Sequence, residues 1–123
     1  GLACLSELRQ PGNHDYLDSI TKQLADGFKA LADKHGIALT TNQAGAMFGF
    51  FFTDNDTVTC FKDVQQCDTE RFKRFFHLML EQGVYLAPSA YEACFTCLAH
   101  GQKEIDATLS AADHAFATLA AEA

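Results

Sequence analysis

The sequence predicts an α/β layer domain, a mostly antiparallel sheet of three or four short strands covered by helices. Three observations predict it. Apolar residues recur at helical spacing in three separate segments, around Leu17 to Leu31, Phe72 to Leu80 and Ile105 to Leu119. Between them lie short strand-like runs bounded by turn residues, of which AMFGFFFT at Ala46 to Thr53 is apolar on both faces. At 123 residues, 48% hydrophobic and 20% charged, the chain is long enough for one core and too short for two ordinary domains.

The elements follow in order. Gly1 to Leu8 reads as the last turns of a helix, with Leu2, Leu5 and Leu8 on one face and no capping residue ahead of them. Such a beginning reads as a chain entered within a larger protein. Pro11, Gly12 and Asn13 stop that helix. Asp15 is placed to cap the next, whose inner face is Leu17, Ile20, Leu24, Phe28 and Leu31, and Gly36 suits its C-terminal end.

Ile37 to Gln43 alternates as a strand does, and a short NQAG turn leads to a second strand, Ala46 to Thr53, expected to be covered on both sides. Gly49 within it marks a close approach of another group. Val58 to Gln66 reads as an irregular link with a short helical turn. Asp68 then caps a helix with a stripe of Phe72, Phe75, Phe76, Met79 and Leu80 opposite Arg71, Lys73, Arg74 and Glu81, ended by Gly83. Val84 to Ala87 is predicted as a short edge strand, since Pro88 denies it a central place. Ala93 to Leu98 is extended again, and Gln102 to Ala121 forms the last helix, burying Ile105, Leu109, Ala112, Phe116 and Leu119.

Composition excludes several functions. A formal net charge of −7, with nine scattered basic residues, argues against a phosphate-binding surface, so nucleic acid is not an expected partner. No apolar stretch approaches the roughly twenty residues that span a bilayer, and the start has no signal-peptide order. A cytoplasmic chain without membrane contact is expected. Five cysteines, an odd number without a secreted framework's spacing, are expected to be reduced and mostly packed.

Cys94 and Cys97 form a C-x-x-C, the spacing of a redox pair or of half a zinc site. Phe95 and Thr96 between them look like interior strand residues, so packing is preferred over chemistry. A zinc site from Cys60, Cys67, Cys94 and Cys97 has the ligand count, but its first pair lacks the short knuckle spacing, and no metal is expected. His14, His35, His77, His100 and His114 show no metalloprotease pattern and read as structural or exposed.

Phe48, Phe50, Phe51 and Phe52 are explained more economically as core than as a ligand pocket. Glu92 is different. It stands among Leu86, Ala87, Ala90, Tyr91, Ala93 and Phe95, and an ionised side chain in apolar surroundings needs a partner or a task. It either caps a neighbouring turn or serves a site, and spacing leaves both open.

Three stretches carry a family resemblance: QAGAMFGFFFTD at Gln43 to Asp54, CDTERFKRFFHLMLEQGVYLAPSAYEACF at Cys67 to Phe95, and LAHGQKEID at Leu98 to Asp106. They resemble the glutamate-1-semialdehyde 2,1-aminomutases, class-III aminotransferase relatives of the fold-type I pyridoxal-phosphate enzymes. The likeness runs nearly end to end. It implies that residues 1–10 end a helix continuing from a missing N-terminal large domain and that residues 11–123 are a C-terminal small domain.

The resemblance further implies a homodimeric parent that converts glutamate 1-semialdehyde to 5-aminolevulinate by intramolecular amino transfer in tetrapyrrole (porphyrin) biosynthesis, an isomerase using pyridoxal 5'-phosphate and its pyridoxamine form. The family's cofactor lysine lies upstream of the position matching Gly1, and Lys22, Lys29, Lys34, Lys62, Lys73 and Lys103 fall outside its motif. The chain alone is therefore expected to be inactive and to carry no cofactor. Another class-III aminotransferase and a non-enzymatic zinc or redox module are the rival readings.

Glu92 matches the acid of the family's A-P-S-x-F-E-A-G-F elbow, which faces the active site. The resemblance makes Glu92 the substrate-binding residue and Pro88, Ser89 and Tyr91 the elbow supporting it. Related aminotransferases place an arginine there to hold a carboxylate, and an acid favours an amino group instead. Two positions depart from the pattern, Cys94 for glycine and Tyr91 for phenylalanine, and the larger side chain at Cys94 is expected to bear on the elbow.

Overall fold

Helical spacing carries through into the computed structural model, which describes every residue from Gly1 to Ala123. Five helices form, α1 (Leu2–Leu8), α2 (Asn13–Lys34), α3 (Phe61–Gln65), α4 (Thr69–Glu81) and α5 (Gln102–Glu122), with three strands, β1 (Thr40–Ala44), β2 (Met47–Phe51) and β3 (Cys94–Phe95). The expected α+β architecture stands, with three antiparallel strands in the order β1-β2-β3. No helix is long and apolar enough to cross a membrane.

The helix ends show why the elements stop where they do. α2 begins at Asn13 behind Gly12, so Asp15 is not its cap but lies in its first turn, where a negative charge suits the helix dipole. The Asn13 side chain instead donates to Glu7 O at 2.8 Å, tying α1 to α2. At the other end Ile37 N–H reaches back to Ala32 O at 2.8 Å and Gly36 N–H to Asp33 O at 3.1 Å, a Schellman closure. α4 closes identically, with Val84 N–H on Met79 O at 2.9 Å and Gly83 N–H on Leu80 O at 3.0 Å. Its start is the expected one, Asp68 Oδ1 accepting from Arg71 N–H at 2.9 Å.

The sheet departs from the sequence expectation in three places. β1 starts at Thr40 rather than Ile37 and runs on through Asn42 and Gln43, so the reversal is the two residues Gly45 and Ala46. Gly45 has φ +58° and Ala46 does not share that sign, the pattern of a type II′ hairpin, which needs glycine at its first central position. Val84 to Ala87 forms no strand; only Leu86 is buried there, and a cleft separates the segment from β3. Without a neighbouring edge, its N–H and C=O groups have no ladder to join.

The third departure concerns β2. Phe48, Phe50 and Phe52 point inward and are at most 4% exposed, whereas Met47, Gly49 and Phe51 share the opposite face, which has only the short α3 beside it. Strand alternation therefore leaves one apolar face open. Gly49 does mark a close approach, since a Cβ there would stand 3.2 Å from Phe51 Cζ.

Helices α2, α4 and α5 pack over the inner face. Phe28 meets Phe48, Phe50, Phe75 and Phe116 edge-on at centroid distances of 5.4 to 6.3 Å, the offset geometry that aromatic quadrupoles favour. Phe75 and Phe116 join α4 to α5 at 4.7 Å. On α4 the buried stripe is Phe72, Phe75, Leu78 and Met79, while Phe76 is half-buried and Leu80 is exposed. The expected stripe is thus rotated to take in Leu78, and α5 packs against α4 through Phe75 and Phe116. On α2 and α5, Leu31 and Leu109 are only half-buried, and Ala25, Ala32, Ala111 and Ala115 join the core because the two helices lie close.

Candidate functional site

After α4 closes at Gly83, the chain crosses the top of the sheet as an elbow before entering β3. Leu86 and Ala90, each 8% exposed, pin it to the core. Between Ala90 and β3 it makes a tight turn, with Glu92 N–H donating to Ser89 O at 3.1 Å and Tyr91 N–H to Ser89 Oγ at 3.2 Å. Ser89 thus sets the turn that presents Tyr91 and Glu92 outward.

The structure corrects one premise about Glu92. Its side chain is exposed rather than buried among apolar neighbours, because the turn lifts residues 91 to 93 off the core. It caps nothing and joins none of the protein's ion pairs. What it does border is the open face of β2.

There, a hollow of about 280 Å³ is lined by Asn42, Met47, Gly49, Phe51, Phe61 and Tyr91 among others, with Glu92 as its one acid. Phe61 of α3 and Tyr91 pack against each other at its edge, their ring centroids 5.5 Å apart. α3 is held for this by Asp63, whose carboxylate accepts Thr59 N–H at 2.8 Å and Cys60 N–H at 3.2 Å, bonds that keep its pKa below the usual carboxylate value. The open apolar sheet face, an aromatic pair and one free carboxylate make a surface suited to a ligand with an apolar body and a cationic end.

Pro88, the fourth residue of the expected site, faces elsewhere. It lines a second hollow of about 530 Å³ with Tyr85, Cys94, Phe95, His100 and Glu104. The elbow therefore divides its residues between two hollows, with Tyr91 and Glu92 toward the sheet face. Cys94 is also on the second side, where its thiol lies against the Ala87 backbone of the elbow. Burial pushes that thiol's pKa up, which leaves it protonated and a poor nucleophile.

The cysteines are all free, but Cys4, Cys60 and Cys97 are exposed, so packing describes only Cys67 and, in part, Cys94. No three His, Cys, Asp or Glu side chains converge as metal ligands, and the four later cysteines are not gathered. Within the C-x-x-C, Thr96 is interior as expected while Phe95 is 67% exposed. His14, His77 and His114 are exposed; His35 Nε2 lies 2.7 Å from Asp113 Oδ1, and His100 Nδ1 accepts Cys97 N–H at 3.1 Å.

Two contacts had no signal in the sequence. Thr21 and Thr96 meet as buried hydroxyls at 2.6 Å, and Tyr16 Oη donates to His100 O at 2.6 Å. Each joins residues more than seventy positions apart, which local pattern does not register.

Pyridoxal phosphate requires an amine to carry it and cations or N–H donors for its phosphate. Neither apolar hollow is lined by a lysine or an arginine.

No protein-family model matches the chain. Solved structures do. The chain is similar to the FumI protein of Sphingopyxis sp. MTA144, described in its PLP internal aldimine form, with 24% identity and a TM-score of 0.71 over 94% of this chain and 25% of that one. It is similar to an omega-transaminase from Sphaerobacter thermophilus, with 16% identity and a TM-score of 0.73 over 90% of this chain and 25% of that one. A beta-phenylalanine aminotransferase from Variovorax paradoxus matches 80% of the chain with 22% of its own length, at 20% identity and a TM-score of 0.70. The chain thus spans about a quarter of the length of the solved structures it matches. At these identities the likeness is one of fold, the fold of the C-terminal domain of PLP aminotransferases.

Proposed function

We propose that this chain is the C-terminal small domain of a longer PLP-dependent enzyme, and that the enzyme is a glutamate-1-semialdehyde 2,1-aminomutase in which Glu92 selects the substrate. The fold shared with transaminases supports the first part. The long motifs at Gln43 to Asp54, Cys67 to Phe95 and Leu98 to Asp106 support the second.

One observation carries the role of Glu92. Its carboxylate is free of any ion pair, stands beside an apolar hollow with no basic lining residue, and is presented there by a hydrogen-bonded turn. Such a group attracts an amine and repels a carboxylate, whereas an arginine at the same place would do the reverse. A substrate bearing an amino or aldehyde group at that end fits it.

In the parent the cofactor, when bound, supplies the electron sink, and the large domain supplies its lysine. Residues 1–10 continue from that domain, and the parent is a cytoplasmic homodimer. This chain contributes Glu92, held by Ser89, together with the apolar wall formed by Met47, Phe51 and Tyr91.

The test is Glu92→Gln in the full-length parent. Loss of one charge-assisted contact is expected to lower kcat/KM for glutamate 1-semialdehyde by roughly ten- to a hundredfold while easing entry of dicarboxylic donors. Unchanged turnover and unchanged discrimination would remove Glu92 from the site. The likeness to transaminases favours a second reading, transfer between two molecules. An assay in which 5-aminolevulinate forms from a single substrate, with no added amino donor or acceptor, separates the two.

A further inference from the structure

The geometry points to Thr96, acting through Thr21, as a positioning residue for the elbow that carries Glu92. The inference rests on the reading of Glu92 given above and deepens it. β3 is two residues long and pairs only with Met47 and Phe48, with one further bond from Thr96 N–H to Ala46 O at 2.9 Å. A strand this short has little ladder to hold its place. The elbow leading into it has its last buried side chain at Ala90, and the next buried one is Thr96. Glu92 lies between these two anchors.

Thr96 is 8% exposed and Thr21, on α2, is fully buried. Their hydroxyl oxygens are 2.6 Å apart. Thr21 Oγ1 has one proton, and it points to Leu17 O at 2.6 Å, one helical turn back. Thr96 therefore donates to Thr21, giving a directed chain from Thr96 to Thr21 to Leu17. The only other acceptor for Thr96 Oγ1 is Ala46 O at 3.4 Å, a long contact. Burial removes competing water, so the chain fixes how high β3 sits over α2 and, through it, where the turn at Ser89 to Glu92 stands.

Thr96→Val keeps the side-chain shape and removes the donor, while Thr96→Ser keeps the donor. In the 123-residue chain, Thr96→Val is expected to speed amide exchange at positions 92 and 96 about five- to tenfold, the worth of one buried hydrogen bond, and to leave the Phe28 amide of α2 unchanged. Thr96→Ser should restore the wild-type rates. In the parent, Thr96→Val is expected to raise KM for the amine-bearing substrate about fivefold with kcat changed less than twofold, again with rescue by Thr96→Ser.

Unchanged exchange at 92 and 96 overturns the inference, as does an equal rise at Phe28, which would report general destabilisation. Altered elbow exchange with KM unmoved by both Thr96→Val and Glu92→Gln has a different meaning. The elbow is then held as inferred, and it is the substrate-selecting role of Glu92 that falls.

Discussion

Gly27 of α2 and Leu109 of α5 meet so closely that a Cβ on Gly27 would stand 2.5 Å from Leu109 Cδ2 and 3.3 Å from its Cγ. The missing side chain is what lets the two long helices approach, and it is why alanines rather than leucines fill much of their seam. Leu109 is half-buried, so its end can swing outward. Gly27→Ala is expected to change stability by no more than about 1 kcal/mol, since the helix-propensity gain of about that size offsets the repacking. Gly27→Leu should cost about 2 kcal/mol by overpacking, read as a lowered urea midpoint at unchanged m.

Phe75 has a larger role. It is fully buried and touches Phe28, Phe50, Phe52 and Phe116, so one ring links α2, β2, α4 and α5. Phe75→Ala is expected to cost about 3 to 5 kcal/mol and Phe75→Leu clearly less, measured by chemical unfolding. Equal costs for the two would mean that the site collapses around any side chain.

Asp68 is expected to matter through one bond. Its Oδ1 accepts Arg71 N–H at the start of α4. Asp68→Ala should destabilise by about 1 kcal/mol and Asp68→Asn by much less, because asparagine caps nearly as well. A fall of equal size in both would assign the effect to charge and not to capping.

Acid should loosen the molecule for a reason that can be named. Asp113 is held below the usual carboxylate range by Lys34 and then His35, Glu122 by Arg74, Glu104 by the Gly101 backbone N–H, and Asp63 by Thr59. Each folded value lies below the unfolded one, so in that interval the unfolded chain binds more protons. The stabilisation is therefore complete above the unfolded carboxylate values, about pH 4, and is lost as pH falls through the depressed folded ones. All four groups lie at the surface, so each effect is small and is screened by salt. Urea midpoints from pH 7 down to pH 3 should fall below about pH 4, and Glu122→Gln with Asp113→Asn should flatten that fall.

Much of the fold is legible in the sequence because helices and caps are local. The spacing of Leu17, Ile20, Leu24 and Phe28, the capping aspartate at 68 and the glycines at 36 and 83 each act within a few residues, and each appears where the pattern puts it. The sheet is less legible. Val84 to Ala87 has strand-like residues, yet a strand exists only where a second backbone offers its N–H and C=O groups, and none does.

The candidate site divides in the same way. That an acid follows a small-residue elbow is written in the chain. Whether that acid is buried depended on the Ser89 turn, which lifts Glu92 into solvent beside the open face of β2. By itself the sequence determined the helices, the Asp68 cap and the closing glycines, the phenylalanine content of the core and the identity of the acid, all set by short-range spacing. Tertiary structure decided which face of β2 stays uncovered, how closely α2 meets α5 at Gly27, and that Thr21 would find Thr96. Those outcomes depend on groups up to 82 residues apart sharing one small volume, and packing and hydrogen bonding across that distance leave no periodic trace along the chain.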